Sequence, residues 1–214
     1  KLDVSGDTTW VKSYAGTGLW PNGYSIQQTS DGGYIMGAST YTGGFGGVDW
    51  VMIKTDASGS VSWSRVYGSL SSSGADYLIK AFETSDGGYY MGGILDNVGI
   101  SALSGIKTNN TGSISWTKCY ANQYGSYYGF SGYYGMTECA DSGFALTAEL
   151  GNYFGNTLDQ AYNGTDMLVI KTDANGDSYG CQQEPVGVQE QVFSLTAYNS
   201  PFQDSSGVTL NSGV

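Results

Sequence analysis

The sequence predicts an all-β protein built from a repeated unit of four short antiparallel strands. Three observations carry that prediction. The phrase "QQTSDGGYIMGAS" at 27–39 returns as "FETSDGGYYMGGI" at 82–94 and, degenerate, as "ECADSGFAL" at 138–146. Asp31, Asp86 and Asp141 within it are spaced by 55 and 55 residues. A Trp-x-Lys/Arg-x-Tyr triplet recurs in step: Trp10-Lys12-Tyr14, Trp63-Arg65-Tyr67 and Trp116-Lys118-Tyr120, at intervals of 53 and 53. The composition agrees: 34 Gly and 18 Tyr with only 13% charged residues is the profile of a turn-rich β chain, and so many aromatics argue against disorder.

Each unit reads in the same order. The first strand alternates: in "SVSWSRVYGS", Val61, Trp63, Arg65 and Tyr67 share one face, and Ser62, Ser64 and Val66 share the other. A second strand, such as "YSIQQT", runs into the SDGG turn, where glycine supplies the positive φ of a tight hairpin. A third strand, "GYIMGAST", leaves the turn and is followed by a loop of variable length. The fourth, "DWVMIKT", is apolar on both faces and must be covered from both sides. It meets the first strand of the next unit through "DASGS", one of the turns that also include "DVSGD" and "DANGD". The Lys markers at Lys1, Lys54, Lys107 and Lys171 set the units at about 1–53, 54–106 and 107–170, with a fourth beginning at 171. The last interval is 64, which places about eleven extra residues of unit three in the loop-like stretch Gly151 to Asp166.

A four-stranded sheet that is apolar on both faces cannot bury both alone, whereas stacked successive sheets can, and radial stacking makes a β-propeller. "QTSDGGYIMGAS", "DWVMIKTDASGSVSW" and "KTDANGDSYGC" resemble the DGGY-type β-propeller-like repeats of secreted and cell-surface prokaryotic proteins, over residues 1–181. The resemblance implies an extracytoplasmic, non-enzymatic β-repeat protein with four-stranded blades, and it brings no catalytic residue. Unit three departs from the pattern, with Cys139 for Thr29 and Thr84 and Ser142 for Gly, so its hairpin is expected to be reshaped.

Three full units are too few to close a propeller. The fourth loses its Trp, with Gly180 in that place. The tail, 182–214, alternates like strands in "VQEQVFSLTAY" and "SGVTLNSG" and is expected to cap its own chain or to be exchanged with a neighbour. An open array leaves faces and edges that template association, and a head-to-tail contact that does not close makes a filament.

Composition narrows the function further. With 8 basic against 19 acidic residues, a net charge of −11, nucleic acid is excluded as a partner. The absence of histidine removes Ser-His, Cys-His and His-zinc chemistry. No apolar run is long enough for a membrane-spanning helix, so no membrane insertion is expected, and the opening "KLDVSGD" is not a signal peptide. No cofactor is implied. Cys119, Cys139 and Cys181 permit one internal disulfide in three pairings, and their spacing fits no zinc site.

Candidate sites are few. The Trp-Lys/Arg-Tyr triplets read either as a ligand-stacking platform or as a ladder between sheets, and repetition at fixed spacing favours the ladder. Asp173, Asn175 and Asp177 match a calcium loop poorly and read as a hairpin turn. Glu83, Glu138 and Glu149 form no sequence pair suited to glycoside hydrolysis, and the chain is read as not an enzyme. Asn109 in "NNT" and Asn163 in "NGT" fit the N-glycan acceptor pattern. The Tyr-rich stretch 122–135, with Tyr127 and Tyr128, is the candidate surface for stacking on glycans. The leading expectation is a self-assembling structural subunit of a surface structure or filament, extracellular or at the cell surface, with itself as partner. The alternative is a carbohydrate-binding or adhesive module.

Overall fold

The computed structural model describes residues 1–16, 21–41, 43–69, 76–96, 101–121, 135–150, 166–178, 182–184, 188–192 and 194–199. Among them are fifteen strands in antiparallel sheets and no helix. The first sheet takes β2 (Pro21–Gln28), β3 (Tyr34–Thr40), β4 (Asp49–Thr55) and β5 (Val61–Ser69). The second takes β6 (Tyr77–Glu83), β7 (Tyr89–Asp96), β8 (Ser101–Thr108) and β9 (Ile114–Ala121). The third takes β10 (Met136–Glu138), β11 (Phe144–Leu150) and β12 (Asp166–Lys171). β1 (Lys12–Ala15) carries the first Trp-Lys-Tyr triplet's lysine and tyrosine.

Sheet boundaries are offset by one strand from the sequence units. The Asp56–Ser60 turn is too tight to let β5 leave, so β5 pairs with β4, Trp50 opposite Tyr67 and Lys54 opposite Trp63. All of β4 is buried, as its two apolar faces require. One face, with Ile35, Trp50, Met52 and Tyr67, packs on Leu78, Ala81 and Met91 of the second sheet. The other, with Ala38, Val51, Ile53 and Val66, packs under Tyr14 and Leu195. The second sheet then packs through Phe82, Tyr90, Leu103 and Tyr120 on Met136, Phe144, Leu146 and Ile170 of the third. The core is therefore a series of sheet-on-sheet layers.

The tail runs back along the outer edges of these layers. β13 (Gln182–Glu184) pairs with β9, β14 (Val188–Val192) with β5, and β15 (Thr196–Asn199) with β1. Gln183 faces Tyr120, Glu190 faces Tyr67 and Ala197 faces Tyr14, so the tail meets the same position of each Trp strand at a step of seven residues. The β9, β5 and β1 edges each gain a strand, which satisfies backbone groups that would otherwise invite association. Leu195, 8% exposed, sinks into the first core layer, a burial that stabilises by about 1.5–3 kcal/mol.

The SDGG hairpins are alike in all three units, including the third. Thr29 N–H donates to the Gly33 carbonyl (2.9 Å), Thr84 to Gly88 (2.9 Å) and Cys139 to Gly143 (2.8 Å). Ser142 takes φ 61°, where Gly32 has 82° and Gly87 has 79°. The expected reshaping does not occur, because Ser142 accepts the left-handed conformation.

Candidate functional site

The repeated motifs meet at the interfaces between sheets. Each Trp strand reaches forward to the Asp-x-x-Gly turn of the following layer. Tyr14 Oη donates to the Gly59 carbonyl at 3.0 Å, Tyr67 Oη to Gly112 at 2.6 Å and Tyr120 Oη to Gly176 at 3.1 Å. The indoles of Trp10, Trp63 and Trp116 lie against these same glycines, so closely that a Cβ would fall 2.8, 2.9 and 2.6 Å from the ring. The cation between them also reaches the turn. Lys12 Nζ is 3.3 Å from Ser60 Oγ, Arg65 Nε donates to the Thr111 carbonyl at 2.9 Å, and Lys118 pairs with Asp177 at 2.6 Å. Each indole meets the aromatic after SDGG edge-on: Trp10 with Tyr34 (5.7 Å), Trp63 with Tyr89 (5.5 Å), Trp116 with Phe144 (5.8 Å). Such pairs contribute roughly 0.5–1.5 kcal/mol beyond their buried area. The triplet is a clasp between layers; its cation lies over the turn of the next layer rather than between its own two rings.

A second device locks the SDGG turns. Lys54 Nζ donates to Asp31 Oδ2 (2.7 Å), Asp31 Oδ1 (3.0 Å) and the Thr55 carbonyl (2.8 Å), which engages all three of its hydrogens. Lys107 repeats this with Asp86 and Thr108, and Lys171 with Asp141 and Thr172. The lysine hydrogen bond, Thr29 Oγ1 and the Gly33 N–H hold the Asp31 carboxyl well below its ordinary range. Asp86 falls to about 2: burial opposes the shift, but Thr84, Lys107 and the Gly88 N–H outweigh it. The Lys171 hydrogen bond also lowers Asp141, which lacks a threonine hydroxyl because Cys139 stands there.

A third device crosses between sheets. Glu83 accepts from Ser30 N–H (2.6 Å) and Oγ–H (2.9 Å), and Glu138 accepts from Ser85 N–H (2.8 Å) and Oγ–H (2.7 Å). Two carboxylate oxygens thus meet two donors on the preceding turn. These glutamates are interface caps and are not brought together. The side chain of Glu149 lies outside the described residues.

The other candidates are placed as follows. Asp173 Oδ1 accepts from Asn175 N–H (2.8 Å) and Asp177 N–H (2.9 Å), and Asp177 pairs with Lys118, so these groups serve the turn and the clasp. Asn109 is exposed and holds the aspartate position of its turn, with Oδ1 accepting from Thr111 N–H, Thr111 Oγ1–H and Ser113 N–H. Asn163, Tyr127, Tyr128 and Cys181 lie outside the described residues. Cys119 is buried in β9, and Cys139 is half-buried beside the third hairpin. Among the described residues, no group of three or more Cys, Asp or Glu could hold a metal ion. One charged feature lay beyond sequence reasoning: Asp49 and Asp76 are both buried, at 2% and 1% exposure. Burial, with the neighbouring Asp76 charge adding to it, pushes Asp49 up to about 6, although the Phe45 N–H bound at 2.8 Å works against the shift.

No protein-family model matches the chain, and no curated protein matches it. The family resemblance therefore rests on the repeated motifs alone, and the geometry establishes an all-β chain of layered antiparallel sheets joined by a thrice-repeated clasp.

Proposed function

We propose that the chain is a non-enzymatic extracellular structural protein, a self-assembling β-repeat subunit of a surface structure or filament, whose sheets are propeller-like blades. The observation that supports this reading is the contrast between inner and end layers. Met52 is fully buried where the second sheet covers it, yet Val169, in the corresponding place on the third sheet, is 58% exposed. Ala81 is buried against the first sheet, yet Ile26, its counterpart on β2, is 64% exposed. At Val169 and at Ile26 the end faces are left open, although Tyr14 and Leu195 cover Ala38, Val51 and Ile53 of the first sheet, and contacts of the same kind would cover the remainder. The repeated charged motifs lock turns within a sheet or hold neighbouring layers together, which suits a structural role. Negative-stain microscopy and sedimentation at rising concentration test the proposal. Rings or fibres are expected, and uniform monomers at high concentration would contradict it.

A second reading, a carbohydrate-binding or adhesive module, draws on Tyr24, Tyr41 and Tyr77, exposed by 48%, 54% and 43%. Exposed phenol rings stack on sugar faces. Saturable glycan-array binding that disappears on replacing these tyrosines would favour it over assembly.

A further inference from the structure

Among the described residues, the four sheets contain five, five, three and two strands. The complete ones are β14-β5-β4-β3-β2 and β13-β9-β8-β7-β6. The three-stranded sheet, β10-β11-β12, stops at the strand equivalent to β4 and β8. The two-stranded sheet, β1-β15, is a Trp strand with its tail strand, the outer pair that completes the other two. Three and two make the missing five. Deepening the self-assembly reading and resting on it, we infer that β1 and β15 of a second copy of this chain complete the third sheet, with β12 pairing along β1 as β4 pairs along β5.

Residue exchanges at the two open faces support this match. At the first inner interface Gly37 receives Leu78 and Ala81, and at the second Gly92 receives Met136. The open face of the third sheet carries Thr147 at that position. The face of the first sheet that would meet it carries Gly23 in place of Leu78, with nothing within 4 Å of a Cβ there. Thr147 thus finds room at Gly23, while Ile26 stands where Ala81 and Met136 stand at the inner interfaces. The caps change together as well. Glu83 and Glu138 each offer two carboxylate oxygens to the two donors of a serine. On the open faces the glutamate position is Gln28 and the serine position is Ala140: one amide oxygen facing one backbone N–H. Acceptor and donor counts match in all three pairings.

The loss of the fourth unit's Trp follows from the same scheme, since a neighbour's Trp10 strand takes that place. Docking requires one exchange. Lys1–Asp7 and Lys171–Asp177 share Lys-x-Asp-x-x-Gly-Asp and close the same end of their strands. Gly6 has nothing within 4 Å of a Cβ, whereas Gly176 is held under Trp116, so the unclasped Lys1–Asp7 turn is the one that gives way.

The register of β4 on β5 places Val169 of one copy opposite Lys12 of the other, as Met52 stands opposite Arg65. The test mixes two full-length single variants, Val169→Cys and Lys12→Cys, under mild oxidation, with Val169→Cys plus Gln27→Cys as the mismatched control. A disulfide-linked heterodimer confined to the matched pair, mapped by mass spectrometry to those two cysteines, is expected. A chain lacking residues 1–6 should associate at least tenfold more tightly. Assembly seen by sedimentation without the matched cross-link would overturn this interface while leaving self-assembly standing. Failure of any assembly would overturn both. A matched cross-link in a dimer supports a closed ring, and one in longer species supports the same strand pairing repeated in a fibre.

Discussion

Substituting Gly112 by alanine probes the clasp, with Gly87 as its internal control. The two glycines have nearly the same backbone, φ 81° and 79°. An alanine at either site carries the left-handed penalty of about 1–2 kcal/mol, partly offset by about 0.4–1 kcal/mol from a stiffer unfolded chain. Gly87 has nothing within 4 Å of its Cβ position, so Gly87→Ala should cost about 1 kcal/mol. At Gly112 the new methyl falls 2.9 Å from Trp63 Cη2 and Cζ3 and from Arg65 Cδ. Overpacking of that kind adds about 1–3 kcal/mol, for a total near 2–4 kcal/mol. The displacement also disturbs the 2.6 Å bond from Tyr67 Oη to the Gly112 carbonyl. Urea unfolding followed by circular dichroism and tryptophan fluorescence gives both values. Equal losses at the two sites would refute the idea that the indole presses on the turn.

Further consequences are open to measurement. Asp86→Ala removes the carboxylate partner of Lys107, whose side chain is 9% exposed although Asp86 itself is 64% exposed, and should cost about 1–3 kcal/mol; Asp141→Ala, beside a Lys171 that is 46% exposed, should cost clearly less, both read by urea titration. Glu138→Gln should lose about 1 kcal/mol, and the added Ser85→Ala should recover most of it, because one acceptor then meets one donor; a double-mutant cycle reads the coupling. Ser142→Gly should stabilise by up to about 1 kcal/mol in thermal melts, since φ 61° costs serine and not glycine. The folded Asp49 pKa, about 6, lies above the unfolded value, so its contribution is present below pH 4 and is lost as pH rises through 6, on the order of 3 kcal/mol in total. Asp31, Asp86 and Asp141 are lowered, so their contributions are present above pH 4 and fall away as acid protonates them. A stability maximum near pH 4–5 is expected, and Asp49→Asn should flatten its neutral side; unchanged pH dependence in that variant would contradict the assignment.

The hairpins were legible because each is a local affair. Asp-Gly-Gly and Asp-x-x-Gly dictate turns from their own residues, and the two-faced apolar run of "DWVMIKT" could mean only a strand covered on both sides. The ladder role of the triplets was legible from their fixed spacing. Its partner was not, because the glycine that receives Trp63 lies 49 residues on and looks like any turn glycine. The caps were hidden for the same reason: Glu83 and Ser30 are distant, and only the joint change to Gln28 and Ala140 links them. The tail's alternation reads as strand-like, but alternation alone does not say which edges its short strands cover. The signal present was the seven-residue step from Gln183 to Glu190 to Ala197, meaningful only beside the Trp strands it covers. Asp49 and Asp76 carry no motif, and their burial follows from where sheets happen to meet.

The proton NMR shifts of five glycines test most directly whether neighbouring layers are joined by an indole on a turn. The Hα protons of Gly59, Gly112 and Gly176, held under Trp10, Trp63 and Trp116, should be displaced upfield by ring currents, while those of Gly6 and Gly87 should stay near ordinary turn values. Trp63→Ala should return Gly112 alone to that range. Five alike sets of shifts, or a Gly112 signal indifferent to Trp63, would contradict the layered clasp.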